Sequence, residues 1–118
     1  MAEYLIGIDA GNTSSKVVIF GKDGSIISTA ATPSMRFIRR GEGYEEFDVD
    51  ALWKLISECI KEAITKAEID AKDIKGIGVT SFGNGVVFLG KDGENIAPGC
   101  FSQDYRANDI IKMYKETG

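Results

Sequence analysis

Apolar residues recur along this chain with two different periods. Tyr4 to Ile8 is a short apolar run closed by Asp9 and Gly11, and a run of that length bounded by turn residues reads as a buried strand. Lys16 to Phe20, with Val17, Val18 and Ile19, reads as a second strand, and the tight segment from Asp9 to Ser15 separates the two. Gly21-Lys22-Asp23-Gly24 then sets an Asp-Gly step before Ser25 to Ala31, which is a hairpin signal. Three consecutive strands joined by turns form an antiparallel meander. Thr32-Pro33 interrupts the pattern. Ser34 to Glu46, carrying Arg36, Arg39, Arg40, Gly41 and Gly43, reads as an excursion of weak strand character.

The period changes at Asp48, a good N-cap, with Asp50 in the first turn where the helix dipole favours negative charge. Leu52, Ile56, Cys59, Ile60, Ala63 and Ala67 recur at helical spacing, so a helix is expected to about Ala67 with Cys59 as a small core residue. Ile74 to Thr80 reads as a fourth strand. A strand that follows a helix of this length implies a crossover and a parallel neighbour. Val86 to Leu89 is a fifth extended piece, Gly90-Lys91-Asp92-Gly93 a second Asp-Gly turn, and Asn95 to Ala97 the return. Asp104 to Tyr114 reads as a final helix. Trp53 and Phe88 are expected in the core, and Cys100 is expected to be structural. The order predicts an α/β fold with a mixed sheet.

Composition narrows the function. At 118 residues there is room for one domain at most, and 43% hydrophobic with 27% charged residues is the balance of a globular chain. Fourteen Lys+Arg against 18 Asp+Glu, a net charge of −4, argue against nucleic-acid binding, which needs a basic face. With no His, neither a Ser-His-Asp triad nor a His-ligated zinc can be built. Two distant cysteines do not form a disulfide framework, and no apolar run approaches a membrane span or follows the pattern of a signal peptide. A cytoplasmic setting is the expectation. What remains is the chemistry of carboxylates, hydroxyls, Lys/Arg and backbone amides.

That chemistry concentrates in Gly7-Ile8-Asp9-Ala10-Gly11-Asn12-Thr13-Ser14-Ser15-Lys16. Gly11 lets the backbone come close to a ligand, and successive N–H groups in a tight turn can cup an oxyanion. The Thr13 and Ser14 hydroxyls can donate further hydrogen bonds, and Lys16 can add positive charge. Asp9 beside an anion needs an intervening cation, which Mg²⁺ held through its waters would be. A tight hairpin with a polar tip is the plainer reading of the same residues.

Asp9-Ala10-Gly11-Asn12-Thr13-Ser14-Ser15-Lys16 resembles the first phosphate motif of the actin, hexokinase and Hsp70 superfamily. Within it, the chain is similar to the FGGY carbohydrate kinases. Three further stretches carry the resemblance in the same order: Gly43-Tyr44-Glu45-Glu46-Phe47-Asp48 leading into Leu52-Trp53, the run from Gly76 to Leu89, and Ser102-Gln103-Asp104-Tyr105-Arg106-Ala107. The Gly83-Asn84-Gly85 triplet and Ser102 look closer to the L-xylulose kinase branch than to xylulose or glycerol kinases.

The resemblance implies a ribonuclease-H-like (actin-like ATPase) domain, here incomplete. Residues 1–118 would be the N-terminal part of the first, sugar-binding domain of a sugar kinase, with the adenosine-binding domain and the catalytic Asp beyond Gly118. It implies Asp9 as the Mg²⁺ residue, with Gly11, Asn12 and Thr13 at the ATP phosphates. Ser14 and Lys16 join that set on the residue chemistry above. Gly83 and Asn84 would lie near the sugar, with Asp104 and Arg106 bordering the same pocket. The expected partners are a small sugar and MgATP, and uncovered sheet edges would favour a homo-oligomer. The Gly83-Asn84-Gly85 segment also reads as a plain turn, Asp104 as a helix cap, Arg106 as a surface residue, and the arginines from Arg36 to Arg40 as a solvated patch paired with Glu42, Glu45 and Glu46. Two other readings share the first motif: a type III pantothenate kinase, and an actin-like filament or ATPase protein.

Overall fold

A computed structural model describes residues 2–34 and 37–118. The described chain divides into two compact units, residues 2–34 with 50–82, and residues 37–49 with 83–118. Arg36, part of the expected basic patch, lies outside the described residues.

In the first unit, β1 (Tyr4–Ala10), β2 (Ser15–Gly21) and β3 (Ile26–Ala31) form the expected antiparallel meander, and β5 (Ile74–Ser81) lies parallel to β1. The sheet order is β3-β2-β1-β5. Helix α1 (Val49–Ala67) starts directly after Asp48 and ends where the stripe of apolar residues ends. The alternation of each strand decides which residues meet it. Ile6, Ile8 and Ala10 of β1, Val17 and Ile19 of β2 and Ala30 of β3 pack with Ile56, Cys59 and Ala63 of α1 into one core. Each of these nine residues is less than a tenth exposed. The Asp-Gly hairpin between β2 and β3 closes as expected, with Gly24 at φ 87° and the Gly21 N–H donating to the Ser25 carbonyl.

The second unit is built on two short strands, β4 (Glu46–Phe47) and β6 (Gly99–Cys100), paired antiparallel. Phe101 is sealed between Phe47 and Phe37, with ring centroids 4.4 and 4.9 Å away. The second Asp-Gly turn also closes, with Gly93 at φ 81° and the Gly90 N–H donating to Glu94 O. Its arms are not a full ladder. Leu89 bridges Asn95 and Val86 bridges Cys100, as isolated pairs only.

Three expectations are corrected. The last helix, α2, runs Asn108–Thr117 and does not begin at Asp104. Its N-cap position is Ala107, so Asp104 is not a helix cap; its carboxylate is already bound by its neighbours. Trp53 is 65% exposed and Phe88 43% exposed, so neither is a core residue. Trp53 sits on the margin of the α1 stripe, one turn before Ile56, and the sheet does not cover it. Among the described residues no helix is long and apolar enough to cross a membrane.

Candidate functional site

The turn from β1 to β2 is made by Gly11, Asn12, Thr13 and Ser14. The Gly11 N–H donates to the Ser14 carbonyl at 3.1 Å. A Cβ on residue 11 would lie 2.6 Å from that same oxygen, so only glycine allows the chain to close here. Thr13 and Ser14 are exposed, and Thr32 pins the base of the turn by accepting the Ser15 N–H at 2.8 Å. The Asn12 Oδ1 atom is buried with no partner among the described residues. A buried acceptor without a donor is costly.

Asp9 is the last residue but one of β1 and lies on the sheet face away from α1. It stands opposite Lys16 on β2 and opposite Thr80 on β5. Asp9, Lys16 and Thr80 line an open groove of about 440 Å³, with Gly7, Val18, Phe20 and Gly78 as further walls. Asp9 is exposed, and no hydrogen bond or ion pair from another described residue engages its carboxylate. Thr80 was not singled out in the sequence; the signal was its place near the end of the parallel strand, which only the register turns into a neighbour of Asp9.

These residues fit a hydrated Mg²⁺ with nucleotide phosphates. Among the described residues no three His, Cys, Asp or Glu side chains converge on one point. Mg²⁺ is commonly bound by one or two carboxylates with phosphate and water oxygens. Asp9 would supply the carboxylate, and the exposed Thr13 and Ser14 hydroxyls with the turn amides would suit phosphate oxygens.

The other candidate residues belong to the second unit. Gly83 has open space where a Cβ would point, and Asn84 is in the left-handed region at φ 57°. Asp104 and Arg106 are bound to each other. Arg106 Nε donates to Asp104 Oδ1 at 2.9 Å and to Oδ2 at 3.1 Å. Arg106 Nη2 also donates to Glu46 Oε1 at 2.8 Å, and its guanidinium stacks 3.9 Å above the centre of the Tyr44 ring. Glu46, whose side chain is only 2% exposed, receives a second arginine. Arg40 donates to it through Nε at 2.9 Å and Nη2 at 2.6 Å. Arg39 pairs with Glu45 at 2.7 Å. The expected pairing of these arginines with the acidic run is therefore present for Arg39 and Arg40.

Hydrogen bonds from Arg106 bring the Asp104 carboxyl down to about 2, and those from Arg40 hold Glu46 below the ordinary carboxylate range. Burial pushes the Cys59 and Cys100 thiols up. Glu46 is the residue that sequence reasoning undervalued. It lay in a quoted motif, but as one acid among several on a solvated face.

Comparison with known proteins decides the family. The N-terminal domain profile of the FGGY family of carbohydrate kinases matches residues 4–118. The chain belongs to the FGGY family of carbohydrate kinases. Among its FGGY relatives are a probable L-xylulose kinase of Pasteurella multocida, 32% identical over 115 residues, and one of Haemophilus influenzae, 34% identical over 113 residues. These alignments cover 98% and 96% of this chain but 24% and 23% of the relatives. The chain thus spans about a quarter of the length of the curated relatives it matches. A xylulose kinase structure from Lactobacillus acidophilus superposes with a TM-score of 0.88 at 26% identity, over 98% of this chain and 23% of that one. A gluconate kinase from the same species gives 0.89 at 25%, over 100% and 23%. The FGGY fold is that of the actin-like ATPases, the ribonuclease-H-like architecture that the resemblance implied, and the meander with a parallel β5 is its mixed sheet.

Proposed function

We propose that residues 1–118 are the N-terminal part of the first, sugar-binding domain of an ATP-dependent sugar kinase. The whole protein would transfer the γ-phosphoryl group of ATP to a hydroxyl of a sugar, a ketopentose such as xylulose. The adenosine-binding domain and the catalytic base lie outside these residues, so the 118-residue chain by itself has no kinase turnover. A cytoplasmic location follows from the substrates.

In this reading Asp9 holds Mg²⁺ through its waters. Gly11, Asn12, Thr13, Ser14 and Lys16 hold the ATP phosphates. When bound, the metal neutralises phosphate charge and aligns the γ-phosphoryl group. The chain's own part is positioning: turn amides and hydroxyls fix the phosphate oxygens, and Asp9 keeps the metal at the end of β1. Gly83, Asn84, Asp104 and Arg106 serve the sugar side. Asn84 both donates and accepts, which suits the hydroxyls of a neutral sugar.

The observation that carries the reading is the Asp9 carboxylate, engaged by no described residue, at an open groove beside a turn that admits only glycine at position 11. Membership of the FGGY family supports a sugar kinase over a pantothenate kinase or a filament protein. The test is coupled ADP release by the full-length protein with pentuloses, hexuloses and glycerol. Turnover with a ketopentose, abolished by Asp9→Asn, is expected. Turnover with none of these sugars overturns the reading.

A further inference from the structure

We propose that Glu46 is a positioning residue for the turn from Phe101 to Tyr105, acting through Arg106 and Asp104. The inference rests on the sugar-side reading of that turn and adds how the turn is held.

Glu46 is buried at the base of the second unit and accepts from both Arg40 and Arg106. Arg106 is therefore fixed on one side by Glu46, on the other by Asp104, and below by the Tyr44 ring. Asp104 in turn accepts the Glu45 N–H at 3.0 Å. Two backbone bonds complete the clamp. The Phe101 N–H donates to Glu45 O and the Tyr105 N–H donates to Gly43 O, each at 2.9 Å. Gly43 is at φ 82°, and a Cβ there would sit 3.0 Å from the Arg106 nitrogen, so the two segments meet backbone to backbone. The exposed tip of the turn, Ser102 and Gln103, is thus held at both ends while its own side chains stay free to face solvent.

The two carboxylates are buried while Arg40 and Arg106 reach solvent, and an ion cluster of this kind adds little net stability over apolar packing. Its distinct contribution is geometry. The planar Arg106 fork holds two carboxylates in one fixed geometry, whereas a lysine offers a single rotatable ammonium that fixes no such orientation. Asp104 and Arg106 therefore serve the sugar side by holding its backbone.

Amide hydrogen exchange of the 118-residue chain, read by NMR, tests this without any ligand. Arg106→Lys keeps the charge, so no carboxylate is stranded, but removes the fork. Glu46→Gln removes the charge and keeps the shape. In both, the amides of Glu45, Phe101 and Tyr105 are expected to exchange about tenfold faster or more, as in a local opening. Those of Gly90 and Ile96, in the hairpin of the same unit, should be unchanged. Wild-type protection at Glu45, Phe101 and Tyr105 in either variant overturns the proposal. So does an equal loss at Gly90 and Ile96, because the cluster would then hold up the unit rather than the turn. Titration of the full-length protein with xylulose, read on the same amides, forms a second arm. Wild-type protein whose turn amides do not shift with sugar counts against the sugar-side reading, while the exchange result still judges the clamp.

Discussion

Asp9 and Lys16 stand opposite each other across the β1–β2 ladder and line the same groove on the face of the sheet that α1 leaves open. A carboxylate and an ammonium so placed can hold a cation and an anion side by side. Replacing Asp9 with Asn in the full-length protein should weaken binding of MgATP by about tenfold or more, a typical loss for an outer metal partner. Asp9 is exposed, so thermal stability should barely move. Calorimetric titration with MgATP, and with ATP in EDTA, checks this. Equal wild-type affinity with and without the metal would remove the role given to Asp9.

Gly11→Ala brings a Cβ to 2.6 Å from the Ser14 carbonyl oxygen, which is backbone and cannot swing aside. The variant should lose about 1–3 kcal/mol, the ordinary range for overpacking. Gly83→Ala meets nothing within 4 Å and should be neutral within about 0.5 kcal/mol. Urea unfolding of the two variants gives the comparison.

The Asp104 carboxyl lies at about 2 in the folded chain, against an ordinary value of 3.8, chiefly because Arg106 donates to its charged form. The folded value is the lower one. The stabilisation is therefore fully present above about pH 4 and is lost as pH falls through the folded value towards 2. Glu46, held down by Arg40 and Arg106, acts in the same direction. Asp104→Asn should cost about 1–2 kcal/mol near neutral pH, allowing for solvent screening at the cluster rim. It should also flatten the acid limb of a plot of melting temperature against pH. An unchanged acid limb would count against the Asp104–Arg106 pair as its source.

Trp53, 65% exposed, should emit like tryptophan in water and be quenched freely by acrylamide. Trp53→Ala should change stability by no more than about 0.5 kcal/mol. Ile56, one turn further along α1 and 7% exposed, should cost about 2–4 kcal/mol as Ile56→Ala. A blue-shifted, protected Trp53 in the 118-residue chain would contradict the placement of α1.

Much of the first unit was legible because its signals are local. The Asp-Gly step before Ser25 specifies a tight turn through a glycine at positive φ, and the spacing of Ile56, Cys59 and Ala63 specifies one face of a helix. The apolar runs at β1, β2 and β5 mark strands, and the intervening α1 makes β5 parallel to β1. Each is settled within a few residues by backbone geometry or side-chain period. The turn at Gly11 was legible for the same reason.

What lay beyond the sequence depends on residues far apart in it. Asp104 looks like a helix cap until the backbone of Glu45 and the fork of Arg106 reach its carboxylate, after which the helix starts at Asn108. Glu46 looks like a solvated acid until Arg106, 60 residues away, arrives beside it. Trp53 looks like core until the width of the sheet limits what α1 can bury. By itself the sequence determined the three-stranded meander, helix α1 and the strand parallel to β1, because hydrogen-bonding geometry and hydrophobic period act over short distances. Only the tertiary structure decided which charged groups meet and which apolar ones stay exposed, because burial and pairing belong to the packed arrangement and not to any segment of it.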